Sequence, residues 1–495
     1  MQPTQPQSLP RVIGPWIATA VVVGTVIGSG VFKKGRNVAD NVPEFGLAMM
    51  VWVLGGLLAL LGALALAEVA VLFPRAGGNY VFLREGYGRM AGFLWGWVEF
   101  WIIRSASIGA LATMFTESFH DVLKQSLHPG QNLDVVPFWP RQVLTVAVIA
   151  GLAAVNARGT KIGGGVQFFL TLLKVFSLLF IIALPFAVYA FVSEPARPPK
   201  GEHLSPVWPG NWSNVNWSGF GVALVGVLWA YHGWMNIAPI SEEVTRPQRN
   251  IPLAVVAGVL LLIGLYCGAN VAYYLVVPQQ AIVAKTNGEL SETPLATEFC
   301  LALLGPVGAV VASAIIMTSV FGSLNGNLLV GPRLLYAMAQ DRLAPAQLGE
   351  VHPRYQTPLW STVALAGLSC AQVLVLGLLL QSELGLFESV DAATGKVVRS
   401  SPFDVLTNFA IFGSVTFETL AVATIFVFRS RIPATPENRP YKCVGYPLVP
   451  ALYILIMCAV LVNFFVNPKQ RGEAFVGLGF IALGAGVYRL FLRGR

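Results

Sequence analysis

The sequence predicts an all-α integral membrane protein with twelve transmembrane helices. Three observations carry that prediction. Of 495 residues, 55% are hydrophobic and only 11% charged, with a mean hydropathy of +0.67, whereas a soluble domain carries about 25% charged residues. Twelve apolar runs follow one another, each long enough to cross hydrocarbon. What separates them is loop, longest around 118–140, 193–216, 278–300 and 382–402. No separate soluble domain fits.

The spans are expected at about 13–32, 44–72, 90–117, 141–156, 164–192, 217–240, 252–277, 301–338, 358–381, 403–429, 446–467 and 473–492. The eighth is longer than one crossing, so its end is expected to project into the cytoplasm. Lysine and arginine are more numerous in the loops on the N-terminal side of the first span, which favours both termini in the cytoplasm. The polar start, Met1 to Pro10, lacks the basic region and apolar stretch of a signal peptide. The expected location is therefore the cytoplasmic membrane, with lipid around the bundle.

Composition also excludes several functions. The net charge of +8 is scattered through short loops rather than gathered on one face, so no nucleic acid is expected as partner. Cys267, Cys300, Cys370, Cys443 and Cys458 form no CxxC pair and suggest neither a disulfide framework nor a zinc site. Of five histidines, His120, His128, His203 and His352 fall in loops or at span ends. No cofactor is expected, and an enzyme or redox carrier would need clustered ligands that the spans do not carry.

The first span contains Gly24-Thr25-Val26-Ile27-Gly28-Ser29-Gly30-Val31-Phe32. Glycine costs a helix roughly 1 kcal/mol relative to alanine, so Gly28-Ser29-Gly30 invites a break. Lipid cannot satisfy backbone groups freed there, but a bound solute or water-lined cavity can. The alternative is a small-residue patch against which another helix packs closely. The sixth span repeats the pattern in Trp229-Ala230-Tyr231-His232-Gly233-Trp234. Broken segments at the same ordinal position of two five-span halves point to a transporter binding site, and five spans make the second half inverted. The expected organisation is a first repeat over 1–192, an inverted repeat over 213–430, and accessory helices with a short tail over 446–495.

These stretches, with Phe73-Pro74-Arg75-Ala76-Gly77-Gly78-Asn79-Tyr80, Trp97-Val98-Glu99-Phe100-Trp101-Ile102-Ile103-Arg104, Glu242-Glu243-Val244, Phe321-Gly322-Ser323-Leu324-Asn325-Gly326 and Gln340-Asp341-Arg342-Leu343-Ala344-Pro345, resemble the amino acid–polyamine–organocation superfamily, and within it the L-type amino acid transporters. The resemblance implies a LeuT-type fold with helices 1 and 6 broken. It also implies how a zwitterion is held, since burying either of its charges unpaired costs several kcal/mol. The N–H groups of Ser29, Gly30 and Val31 suit the α-carboxylate. Carbonyls near Val26 and Ile27, and near Trp229 and His232, suit the α-ammonium. Trp229 stands where relatives usually carry a gating phenylalanine. His232, where glycine or aspartate is common, either faces substrate or caps freed backbone. Ala230, Gly233, Asn325, Tyr231 and Trp234 are further candidates for the pocket.

A lysine at mid-membrane needs a partner or a task. By resemblance, Lys174 is expected to take the place of a sodium ion, bonding carbonyls near Gly24 or Thr25 and hydroxyls of Ser319 or Ser323. The expected function is sodium-independent exchange or uniport of small to medium neutral amino acids by alternating access. The alternatives are a cationic amino acid or polyamine carrier, which wants a buried carboxylate such as Glu68 or Glu418, and a non-transporting sensor. Glu68 falls near a span end and Glu418 on the tenth span, which argues against a cationic substrate. Glu99 and Arg104, five residues apart, sit about 140° apart on an ideal helix and are not an obvious pair. Glu242 and Glu243 are expected to join Arg246 and Arg249 in a charge network. Residues 118–140 hold no cysteine, so no disulfide-linked heavy chain is expected there.

Overall fold

A computed structural model describes residues 9–127, 134–191, 199–283, 285–286, 289–290, 293–381, 388–390, 397–399, 402–433, 435, 438–466 and 468–493. The first eight residues, His128 and much of the long loops discussed above lie outside that description. Eleven helices among the described residues are long and apolar enough to cross a membrane, and a bent pair makes a twelfth span. We number them α1 (Pro15–Val26 and Gly30–Asn41), α2 (Phe45–Leu72), α3 (Arg89–Leu127), α4 (Phe138–Ala157), α5 (Thr160–Phe191) and α6 (Trp217–Tyr231, continued as a 3-10 helix over Trp234–Glu243). The rest are α7 (Pro247–Val276), α8 (Pro306–Val330 and Pro332–Gln340), α9 (Leu359–Gln381), α10 (Pro402–Arg431), α11 (Leu448–Val466) and α12 (Pro468–Val487). Two short antiparallel ladders sit in loops, Lys285–Thr286 with Glu289–Leu290 and Glu388–Val390 with Val397–Arg399. The protein is a multi-pass membrane helix bundle that agrees with the LeuT-type pattern.

Three elements differ from the expected spans. α1 continues past Phe32 to Asn41, because Arg36, charged and therefore read as loop, is 4% exposed. Its guanidinium donates to the carbonyls of Thr293 and Ile282 and pairs with Glu298. α3 runs ten residues beyond its expected end, to Leu127. The eighth span begins at Pro306 rather than near residue 301. Gly305, at φ +63°, separates it from a short helix, Leu295–Leu304.

Depth in the bundle is uneven. In α3 and α6, 78% of the apolar window is buried, against 28% in α4 and α11 and 6% in α12. The central helices therefore carry any solute path, while α12 presents nearly all its surface outward. The core is continuous, with Trp52, Tyr231, Tyr266 and Tyr273 essentially inaccessible where α2, α6 and α7 meet.

Candidate functional site

The break in α1 falls at Ile27-Gly28-Ser29, where Ile27 leaves helical geometry (φ −68°, ψ +87°) and the two halves bend by 40°. The first N–H groups of the half starting at Gly30 have no intrahelical acceptor. The break in α6 falls at His232, extended at φ −62° and ψ +140°, and Gly233, at φ +113°. Only glycine takes that left-handed conformation without strain. Two contacts join the breaks: Thr25 Oγ1 lies 3.1 Å from Gly233 O, and Tyr266 Oη lies 3.0 Å from Val26 O and 3.1 Å from Ala230 O.

Between the breaks lies a small cavity, open on one side. Of the expected residues, Thr25, Val26, Gly28, Ser29, Gly30, Trp229, His232, Gly233 and Ser323 line it. Ser29 Oγ is buried and has no hydrogen-bond partner. Ile27, Val31 and Ala230 stand behind the wall. A Cβ on Gly30 would lie 2.5 Å from Ala230 Cα, so Gly30 is at once a close helix contact and part of the open backbone. Asn325 is not brought to the cavity. Its Nδ2 donates to Gln167 Oε1 at 2.9 Å, and its Oδ1 accepts from Asn156 Nδ2 at 2.9 Å.

Lys174, 1% exposed, points into the back of the α1 break. Nζ donates to Gly24 O at 2.6 Å, Ile27 O at 2.7 Å and Ser323 Oγ at 2.8 Å. Ser319 Oγ meets Ile27 O and Gly28 O at 3.1 and 3.2 Å. The carbonyls engaged are those of Gly24 and Ile27, and Thr25 is not among them, its hydroxyl being turned toward α6. The Ile27 and Val26 carbonyls are thus already engaged, by Lys174 and Tyr266 respectively.

Four residues line the cavity that sequence reasoning missed: Ser107, Leu111, Asn236 and Asn327. Asn327 follows Asn325 by two residues and so faces about 200° away on α8, and which of the two faces inward depends on how α8 is rotated. Arg104 holds both amides, donating to Asn327 Oδ1 at 2.6 Å and Asn236 Oδ1 at 3.0 Å. It also pairs with Glu99, Nε to Oε1 at 2.8 Å, which corrects the ideal-helix expectation. Residues Glu99–Arg104 form a π-helical turn, whose i→i+5 bonding stacks residues five apart.

Glu418 is the second correction. Although it stands on α10, its Oε1 lies 3.0 Å from His232 Nε2. The His232 ring lies parallel to that of Trp229, at 6.0 Å between centroids. Both residues line the first cavity and also a second small one, walled by Ala59, Leu228, Ile411, Val415 and Met457. Glu68 is instead held by Arg429 at 2.9 and 2.6 Å and by the backbone N–H of Cys443.

At the end of α6 nearer the N-terminus, Glu243 pairs with Arg333 of α8 at 2.9 Å rather than with Arg246 or Arg249. Glu242 accepts from the backbone N–H of Leu9 and of Ala76. In the short helix Asn79–Tyr87, Tyr80 donates to Asp341 at 2.6 Å, and Asp341 also pairs with Arg84. Burial, and then the Asp341 carboxylate, push the Tyr80 hydroxyl well above its ordinary pKa.

A bundle whose two broken helices enclose a small polar cavity at mid-depth defines a solute transporter. The chain belongs to the amino acid permease family, whose profile matches residues 13–486. It is 31% identical to the serine/threonine exchanger SteT of Bacillus subtilis over 466 residues, 94% of this chain and 92% of that protein. It is 27% identical to the mouse Asc-type amino acid transporter 1 over 98% of this chain and 81% of that one. The human cystine/glutamate transporter is 26% identical over 96% and 83%. The chain is thus an amino acid transporter of this family, not an enzyme.

Proposed function

We propose that the protein carries small to medium neutral amino acids by alternating access, without sodium, as an exchanger or uniporter. It does so across the cytoplasmic membrane, with both termini on the cytoplasmic side. The observation that carries this reading is the open backbone at Gly28-Ser29-Gly30 facing a small cavity edged with hydroxyls and amides. N–H groups there bind the α-carboxylate at a positive half-helix end. Trp229 closes over the substrate, and its side chain is read by Ser107, Asn236 and His232. The Lys174 seat supports sodium independence, because its three donors fill the oxygens that a cation would need. The name of SteT, a serine/threonine exchanger, agrees with a small polar substrate. Repeats over 1–192 and 213–430, with 446–495 as accessory, are supported by the position of the two breaks. No disulfide-linked partner enters this reading.

The second reading, a cationic amino acid, is favoured by one observation, the carboxylate of Glu418 beside His232. Counterflow of labelled amino acids in proteoliposomes, in sodium and then in choline, tests both. The first reading expects alanine, serine and threonine to lead in either salt. Preference for lysine or arginine would establish the second, and uptake of none would defeat both.

A further inference from the structure

Glu418 stands out among the buried charges. Its residue is 6% exposed, and the other ionic groups around it are already matched. Arg104 is balanced by Glu99, and Lys174 spends its donors on two carbonyls and a hydroxyl. On α11, Tyr453 offers a neutral hydroxyl that has no hydrogen-bond partner of its own. On α6, Tyr231 is neutral too, and α2 contributes only Ala59 to the cavity wall. Arg429, which pairs with Glu68, stands at the end of α10, eleven residues and so about 16 Å along from Glu418, too far to pair with it. Among the described residues, what remains to offset the Glu418 carboxylate is the His232 imidazole, 3.0 Å away.

A carboxylate buried with only a neutral imidazole carries an uncompensated charge, which is strongly unfavourable in an apolar wall. One bound proton removes that charge, whether it is written on the imidazole or on the carboxyl, because the two ends share one short contact. His232 is also the residue at which α6 breaks, and it lines the substrate cavity on its other face. Occupancy of the cavity and protonation of the pair therefore act on one side chain.

We propose that His232 and Glu418 form a proton site linked to the substrate site, so that one proton crosses with each amino acid. The inference rests on the reading of the cavity as the amino acid site, and it adds a proton to the transport cycle proposed above, so that net uptake is a symport. A proton from water on one side adds to the empty pair, forming an N–H or O–H bond. The same bond breaks to water on the other side after access alternates, and no electrons are exchanged. Neutral zwitterion plus proton makes each cycle carry one positive charge.

The test uses the full chain in proteoliposomes with an entrapped pH dye. Labelled serine or alanine counterflow at equal pH is measured in parallel, to report the substrate site alone. The wild type is expected to acidify the lumen when external amino acid is added, and to take up more when the outside is made acidic. Glu418→Gln is expected to lose both responses while some counterflow persists, and Glu418→Met serves if that variant does not fold. Intact wild-type counterflow with no acidification and no response to the gradient overturns the proton site and leaves the amino acid site standing. Acidification undiminished in either folded variant overturns its assignment to this pair. Absence of counterflow for every amino acid strikes at the transport reading itself.

Discussion

Substituting Gly30 by alanine tests the α1 break most directly. The added methyl would lie 2.5 Å from Ala230 Cα and 2.6 Å from Ala230 Cβ. Carbon atoms rest at about 3.5–4.0 Å, so the second half of α1 and the first half of α6 must part by about 1 Å. Because backbone is involved, no rotamer change relieves the contact, and overpacking of this kind costs roughly 1–3 kcal/mol. If that cost falls on the closed, substrate-bound arrangement, affinity drops roughly 5- to 150-fold. Gly28→Ala is the control. Its methyl would sit 3.4 Å from Ser323 Oγ and 3.7 Å from Leu111 Cδ2, which are ordinary contacts. Equilibrium binding of labelled serine to purified protein, with a thermal melt of each variant, reads both effects. Gly28→Ala is expected to melt as wild type with a modest loss of affinity. Wild-type affinity in a folded Gly30→Ala would refute the argument that this contact shapes the site.

Three further outcomes are expected. Lys174→Ala should slow transport severely and lower stability by roughly 2–5 kcal/mol, as other buried truncations do. Wild-type transport should be unchanged when choline replaces sodium, and strong sodium dependence or a fully active Lys174→Ala would overturn the role given to the lysine. His232 lines both cavities, so His232→Gly enlarges the space beside the substrate and the ratio of leucine to serine uptake should rise; a wild type that already prefers tryptophan would contradict this. Arg333→Leu strands the fully buried Glu243 and should cost roughly 3–5 kcal/mol in a thermal melt. Adding Glu243→Gln should recover part of that loss, and simple additivity of the two changes would count against a mutual pair.

The twelve spans and the two breaks were legible in the sequence, because both follow from local chemistry. Apolar length decides a crossing, and glycine beside serine weakens a helix wherever it stands. The lysine in α5 was legible for a similar reason, since an ammonium in an apolar run demands partners before the fold says which. Tertiary structure alone decided the partners. Arg36 reads as loop until Glu298 and the carbonyls of Ile282 and Thr293 close around it from far along the chain. Glu99 meets Arg104 only because the helix widens to a π turn, which an ideal 3.6-residue repeat does not anticipate. Asn327 rather than Asn325 faces the cavity, since rotation of α8 is set by what packs against it. Glu418 reaches His232 because α10 lies beside α6, an adjacency that no spacing along the chain encodes. Periodicity and composition act over one helical turn or one crossing. The chemistry of this cavity depends on side chains up to 223 residues apart, and only packing brings those together.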